Sequence, residues 1–366
     1  MTAAAADPIP APPSPEEVHL VSRGIASAVS PREGLTDAQA GLLQAITLAL
    51  TGELVDYRGL DPLSAEELAA GLVDRPIEYR RRIVHHMVLG ELILVPLPEA
   101  VAARVGSYAA ALDVQDDFIG IARRYAQGAL GLAWVDLRRS GFTDRWTEAR
   151  MAPLYTSNTM EDPFDEPSRD PELDARWHAF AELPDGTLGR EVWRMYQQRH
   201  WDAPGSEYGA SAFLAQHDFV HVIADYGTHM PGEMEVFAFI GRADPDPMGF
   251  SWLATMVGLF ETGYVHEQGF FHSNVREHTL QMSGMAHRLA DAIRRGKVVQ
   301  EHFDTDLFTV DYHALASSPL TEVRAMLHVP PKGSEALTAG SPGVLDPEGM
   351  SEAQQEWAAK HERAPE

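Results

Sequence analysis

The stretch that decides the fold is FLAQHDFVHVIADYGTHMPGEMEVFAFIG, residues 213–241. Apolar residues recur at helical spacing through its first half, and the chain then breaks at Pro231-Gly232. We predict a helix over about 211–226 and a second helix opened by Glu233, because a carboxylate is favoured near a helix N-terminus. The stretch therefore predicts a helix–break–helix unit.

Helix-start signals continue on the N-terminal side of this unit. Three capping boxes, in which Ser or Thr precedes Glu or Gln by three positions, are Ser14 with Glu17, Thr36 with Gln39, and Ser64 with Glu67. Pro76 is placed to open a further helix. No long stretch between 18 and 140 alternates with the period of a strand. We predict an all-α fold with two helical domains, the second of which binds a metal.

Composition divides the chain into five segments. Residues 161–174 carry seven acids, one base and three prolines, a composition typical of a solvated loop. We expect a disordered Pro/Ala-rich leader over 1–14, a helical bundle over 15–145, an acidic Pro-rich linker over 146–176, a metal-binding domain over 177–330 and a mobile tail over 331–366.

Bulk composition excludes several classes of site and partner. The 366 residues carry a formal net charge of -25, which repels phosphate backbones and disfavours nucleic acid as a partner. The chain has no cysteine, so disulfides, thiolate metal sites and a Cys nucleophile are excluded. No stretch is long and apolar enough for a transmembrane helix. We expect a cytoplasmic homo-oligomer, with peripheral membrane contact left open.

Histidine and carboxylate spacing predicts a metal site in the helix–break–helix unit. His217 and His221 lie about 40° apart on one helix face, and Asp218 falls within the same arc. Glu233, after the break, can complete a set of two imidazoles and two carboxylates. This set suits one divalent metal, with zinc favoured and iron, manganese or cobalt as alternatives. The competing interpretation is a pair of structural or exposed histidines.

The unit resembles the metal-binding signature of the coenzyme Q (ubiquinone) biosynthesis protein 4 family, over roughly residues 179–330. That signature is matched by His217-Asp218-x-x-His221 followed after eleven residues by Glu233. The segment LPDGTLGR, residues 183–190, is similar to a second family motif. Further similarities are Gly232-Glu233, Arg295-Gly296, Asp311-Tyr312, Pro319-Leu320, Val323-Arg324 and Leu327.

The resemblance implies an all-α fold with an apolar cleft beside the metal for a prenylated aromatic or lipid. It also implies that a carboxyl is lost and a hydroxyl introduced at ring carbon 1 of a prenylated aromatic acid. A metal would stabilise the charge that decarboxylation places on the ring or a phenolate. We assign no catalytic residue. The alternatives are a non-catalytic lipid-binding or scaffold protein that organises biosynthetic enzymes, and a domain stabilised by its metal.

Asp225 departs from the family pattern, which has Gly at this position. Asp225 lies on the ligand face of the predicted helix, so it is either an extra ligand or an outer acceptor that holds the His221 ring. The competing interpretation is a cap or turn role beside Tyr226-Gly227. Arg190 is a candidate for binding a substrate anion, and a salt bridge at a helix start is its alternative role.

Other histidines have weaker patterns. His229 lies in the break between the two helices, where solvation is the simpler role. A second group, Glu261, His266, His272 and His278, is spaced so that its members fall on different faces of a helix. The adjacent His85 and His86 point in different directions on a helix, which favours core and surface roles.

Overall fold

The structure is a computed structural model that describes residues 13–94, 97–115, 169–206, 209, 212–244 and 279–361. Within these ranges every regular element is a helix, and the one bridge of β type, between Thr187 and Pro319, belongs to no strand. The predicted all-α class is therefore confirmed. None of the described helices has both the length and the apolar character needed to cross a bilayer.

Fourteen α-helices lie in the described ranges. They are α1 (Pro15–Val29), α2 (Asp37–Thr51), α3 (Ala65–Gly71), α4 (Ile77–Leu92), α5 (Glu99–Ala111), α6 (Pro171–His178), α7 (Leu188–Arg199), α8 (Ala212–Ala224), α9 (Met230–Ala243), α10 (Met285–His302), α11 (Tyr312–Leu315), α12 (Leu320–Met326), α13 (Ser334–Thr338) and α14 (Glu352–His361). Short 3₁₀ turns occur at Tyr57–Gly59, Ala179–Glu182, Thr279–Gln281, Leu307–Thr309 and Pro347–Gly349.

The three capping signals begin the first three helices. The Ser14 side chain accepts from the backbone N–H of Glu17 at the start of α1. Reciprocal capping boxes open α2, with Thr36 and Gln39, and α3, with Ser64 and Glu67. Each box satisfies backbone donors that the first turn of a helix leaves free, so local sequence fixes these helix starts.

One continuous hydrophobic core joins the early helices to the later ones. Helix α10 packs along α2 on one side and along α9 on the other. Gly296 permits the close approach of α10 to α9, because a Cβ there would lie 2.4 Å from the carbonyl oxygen of Phe239. Helix α8 in turn contacts α7, α9 and α12. The helices that carry the candidate ligands therefore lie in the interior of the molecule.

Two predicted irregular segments contain helices where the structure describes them. The linker expected over 146–176 lies outside the described residues up to position 168, but its last part begins α6. The Asp170 side chain caps that helix by accepting from the backbone N–H groups of Glu172 and Leu173. The tail expected to be mobile after residue 330 forms α13, a 3₁₀ turn and α14, with Ser341 and Val344 buried.

Candidate metal centre

Helix α8 brings three candidate ligands together. His217, Asp218 and His221 each offer an atom within 4.8 Å of the others, and all three side chains are buried. His217 Nδ1 lies 3.4 Å from Asp218 Oδ1. The arrangement follows from the helix, since residues one and four positions apart share an arc of its surface. These three residues form a group that could hold a metal ion.

Glu233, in the first turn of α9, faces the two histidines. Its Oε2 lies 3.5 Å from His217 Nε2 and 3.3 Å from His221 Nε2. Burial raises the pKa of the Glu233 carboxyl, but the charges and hydrogen bonds of His221 and His217 outweigh burial and lower it to about 2. Glu233 is therefore a carboxylate at neutral pH, the form that binds a cation.

The His221 ring shows why a cation fits between these groups. Its Nδ1 lies 3.1 Å from the carbonyl oxygen of Tyr226, which can only accept, so Nδ1 carries the proton in the neutral ring. In that neutral ring the fully buried Nε2 carries a lone pair, whereas in the protonated ring it donates to Glu233 Oε2, 3.3 Å away. Its neighbour is the Glu233 carboxylate, another acceptor. A divalent cation between the two acceptors would satisfy both, and a carbonyl on the far side of the ring is the usual support for a ligating histidine.

Asp218 is held from α7 by a tyrosine. The Tyr196 hydroxyl donates to Asp218 Oδ2 across 2.5 Å, inside the core. Burial, followed by the charge of Asp218 and this hydrogen bond, raises the pKa of Tyr196 well above its usual value. Tyr196 thus remains a donor at all ordinary pH values and leaves Oδ1 of Asp218 on the side of His217.

A buried arginine supports the same group of residues. The Arg199 guanidinium, 1% exposed, donates to Thr228 Oγ1 (2.6 Å), to the Val344 carbonyl (2.7 Å) and to the Met195 carbonyl (3.2 Å). Burial lowers the pKa of Arg199 to about 10, against the opposite effect of the Asp218 and Glu233 charges. Arg199 is therefore cationic at neutral pH and offsets part of the carboxylate charge. Sequence reasoning missed it, because its partners are 29 and 145 positions away.

An aromatic side chain lies against one ligand. The Phe237 ring stacks on the His217 imidazole with a centroid separation of 5.5 Å and an interplanar angle of 14°. His217 itself retains 8% exposure, whereas His221 has none. An apolar ring beside the more accessible ligand limits the directions in which the His217 ring can turn.

Asp225 lies at the left-handed end of α8, with φ +63°, and its carboxylate points to the C-terminal part of the chain. Its Oδ1 accepts from the Val344 backbone N–H across 3.1 Å. The acceptor that meets the His221 ring is the Tyr226 carbonyl, so the role suggested for Asp225 in holding that ring belongs to backbone. Asp225 thus joins the end of α8 to a residue 119 positions further along the chain.

The remaining candidates make other contacts. Arg190 forms an ion pair with Asp185 across 3.1 Å and donates to the Ala181 carbonyl, as expected for a salt bridge at a helix start. His229 is the N-cap residue of α9, and Arg288 approaches its Nε2 to 3.5 Å. His85 is buried in α4, and the residues of the second histidine group lie outside the described ranges.

A buried charged network lies between α9 and α10. Arg288 Nη2 donates to Glu235 Oε2, and both side chains are at most 5% exposed. Arg295, two turns further along α10, donates to the carbonyls of Ala224 and Pro330 and lies over the Tyr226 ring. Donation to Ala224 satisfies a carbonyl at the end of α8, which fixes the helix that carries the histidines.

Comparison with known proteins adds no family assignment. No protein-family model matches the chain, and no curated protein matches it either.

Proposed function

We propose that this chain is a metal-dependent enzyme, in which His217, Asp218, His221 and Glu233 hold one divalent metal ion. The observation that carries the proposal is the buried pair of His221 Nε2 and Glu233 Oε2, which lie 3.3 Å apart on consecutive helices beside His217 and Asp218. Imidazole and carboxylate ligands favour zinc, with iron, manganese or cobalt as alternatives.

The resemblance in sequence extends this proposal to a substrate class. We take the substrate to be a hydrophobic, prenylated aromatic acid that loses its ring carboxyl, with a hydroxyl introduced at the same carbon and O₂ as the oxidant. The acid, water and O₂ would then give the phenol, CO₂ and H₂O₂. When bound, the metal would supply a Lewis acid for the substrate oxygens. The chain's own contribution is to fix the ligands: Tyr196 orients Asp218, and the Tyr226 carbonyl sets the tautomer of His221.

A metal that stabilises the fold is the second candidate function. Burial favours it, because none of the four candidate ligands is more than 8% exposed. Structural sites are closed, whereas catalytic sites keep a coordination position open to substrate. The two functions therefore differ in the effect of removing the metal: a structural metal predicts a steep fall in melting temperature on chelation.

Elemental analysis of the purified protein tests the site itself. We expect about one metal ion per chain in the parent protein and loss of that metal in the folded His217→Ala/His221→Ala variant. The matched control is His302→Ala/His328→Ala, which also removes two histidines. Both are exposed and their rings stack; His302 ends α10, and His328 follows α12. Absence of metal from the parent after reconstitution with zinc, iron(II) and manganese would overturn the proposal.

Measurement of CO₂ release distinguishes the enzymatic function from the structural one. We expect Glu233→Gln to abolish release of CO₂ from a prenylated aromatic acid while the protein stays folded by circular dichroism. If the parent releases no CO₂ and chelation lowers the melting temperature by tens of degrees, the structural function is the better account.

A further inference from the structure

The loop between the two ligand helices is held from the far C-terminal part of the chain. We call residues 225–229 the ligand loop and residues 341–354 the C-terminal strap. The carbonyl oxygen of Gly349, in the strap, accepts from the backbone N–H groups of Thr228 (2.7 Å) and His229 (3.1 Å). The strap therefore satisfies two consecutive donors of the ligand loop.

A second contact of the strap is made by Val344, whose backbone N–H and carbonyl both form hydrogen bonds. Its N–H donates to Asp225 Oδ1 across 3.1 Å, and its carbonyl accepts from Arg199 Nη2 across 2.7 Å. Asp225 belongs to the ligand loop, and Arg199 donates from α7 to Thr228 in the same loop. The strap thus occupies the position between α7 and the ligand loop.

A third contact comes from the start of α14. The Thr228 hydroxyl donates to Gln354 Oε1 across 3.2 Å, and the same oxygen accepts from the Ser351 N–H across 2.8 Å. Both Thr228 and Gln354 are buried. Loop, strap and helix start are therefore linked by one set of hydrogen bonds within the core.

Two glycines allow the strap to approach this closely. A Cβ on Gly227 would lie 2.6 Å from the Cα of Gly349, and a Cβ on Gly349 would lie 2.4 Å from the Gly343 carbonyl oxygen. Such distances are well inside van der Waals contact, so backbone packs directly on backbone here. The contact between Gly227 and Gly349 exists only when the strap is docked against the ligand loop.

The ligand loop connects directly to two metal-site residues. Tyr226 supplies the carbonyl that meets the His221 ring, and His229 supplies the N-cap carbonyl that accepts from the Glu233 N–H across 3.0 Å. A shift of the loop therefore moves Glu233 relative to His221. Metal affinity falls steeply when ligand geometry is lost, because coordination distances tolerate only a few tenths of an ångström.

From these contacts we propose that docking of the C-terminal strap and metal binding are coupled, and that Asp225 is a positioning residue that fastens the strap to the ligand loop. The proposal rests on the proposed metal site. By linkage, a docked strap raises metal affinity by the same factor as bound metal favours docking.

The conformation of Asp225 supports its assignment. A non-glycine residue at φ +63° is in the left-handed region that most side chains disfavour, and Asp is one of the residue types that tolerate it. Gly would adopt this conformation more readily but has no side chain to accept from Val344. Asp225 therefore adopts a less favourable backbone conformation, and its side chain forms a hydrogen bond to the strap.

Zinc affinity and amide exchange of the full chain test the coupling. We expect Asp225→Ala and Asp225→Gly to weaken zinc binding roughly 10-fold in a chelator competition, as for other residues that support metal ligands. In the metal-free protein the Val344 amide should exchange faster in both variants. Asp225→Asn should restore both properties, because its side-chain oxygen still accepts and Asn tolerates the left-handed region.

The matched control is Asp311→Ala, which removes a carboxylate that accepts from the Ala314 N–H at the start of α11. It should change neither zinc affinity nor Val344 exchange. If Asp225→Ala speeds Val344 exchange but binds zinc as tightly as the parent, the coupling is overturned while the metal site stands. If the parent binds neither zinc, iron(II) nor manganese although its Val344 amide is protected, the proposed function fails together with the coupling.

Discussion

Tyr196 donates a 2.5 Å hydrogen bond to Asp218, and this contact joins α7 to the candidate ligands of α8. The tyrosine is 1% exposed and packs against Trp177 with a centroid separation of 4.8 Å. Its ring is therefore held by the core and its hydroxyl is directed at one carboxylate oxygen. Such a contact fixes a ligand before the metal arrives, which lowers the cost of ordering the site.

Replacement of Tyr196 by Phe should weaken the metal site without unfolding the protein. The variant keeps the packed ring and loses only the donor to Asp218, so we expect a fall in zinc affinity of about 10- to 100-fold. Competition with a chromogenic chelator measures it. The control is Tyr312→Phe, which removes another buried hydroxyl, the donor to the Leu307 carbonyl. Equal losses in the two variants would show that Tyr196 acts only through general stability.

The buried pair of Arg288 and Glu235 should matter strongly for stability. Glu235→Ala leaves the Arg288 charge in the interior with its carboxylate partner removed, and breaking such a pair costs about 3–5 kcal/mol. Urea unfolding measures the free energy of unfolding. The control is Glu301→Ala, which breaks an exposed pair with Lys297 and should cost at most about 0.5 kcal/mol. If Glu235→Ala lowers the free energy of unfolding no more than Glu301→Ala does, this prediction is wrong.

Half-buried histidines should make the metal-free protein sensitive to acid. Burial, together with nearby positive charge, lowers the pKa of His86 and His229 to about 3 and that of His313 to about 4. The unfolded chain titrates these groups near 6.5, so between these values it binds more protons than the folded state. Stability is therefore complete above about pH 6.5 and falls as the pH drops towards the folded-state values, by up to about 1.4 kcal/mol per pH unit for each histidine.

The variant His313→Phe tests this dependence. It keeps an aromatic ring beside Phe180 and Trp177 and removes one titrating group. Between pH 6.5 and 4.5 we expect the variant to lose less stability than the parent in urea unfolding. The control is the same replacement at the exposed His19. If the free energy of unfolding depends on pH in the same way in His313→Phe and in the parent, the prediction is wrong.

Close packing of α9 on α10 should make Gly296 intolerant of a side chain. The added methyl of Gly296→Ala would meet the Phe239 carbonyl at 2.4 Å, and overpacking of this kind costs about 1–3 kcal/mol. The control, Gly59→Ala, adds a methyl that would meet Asp56 Oδ2 at an ordinary contact distance of 3.9 Å. Thermal unfolding gives the melting temperatures of both variants. If Gly296→Ala melts at the same temperature as the parent, the contact between the helices is less tight than described.

Local signals determined much of the helical architecture. Ser14, Thr36 and Ser64 begin helices because a capping side chain bonds to backbone only three positions away. The arc of His217, Asp218 and His221 is equally local, since helix geometry fixes the relative directions of residues one and four apart. These features depend on short sequence separations and can be predicted without knowledge of the fold.

Contacts between distant segments were decided only by the tertiary structure. Tyr196 and Arg199 support the candidate site from another helix, and no spacing in the sequence distinguishes them from other buried residues. The composition of the tail predicts a mobile segment and does not show that Gly349 accepts from the ligand loop. The physical reason is that these bonds join groups more than twenty positions apart, and their geometry exists only once the helices have packed.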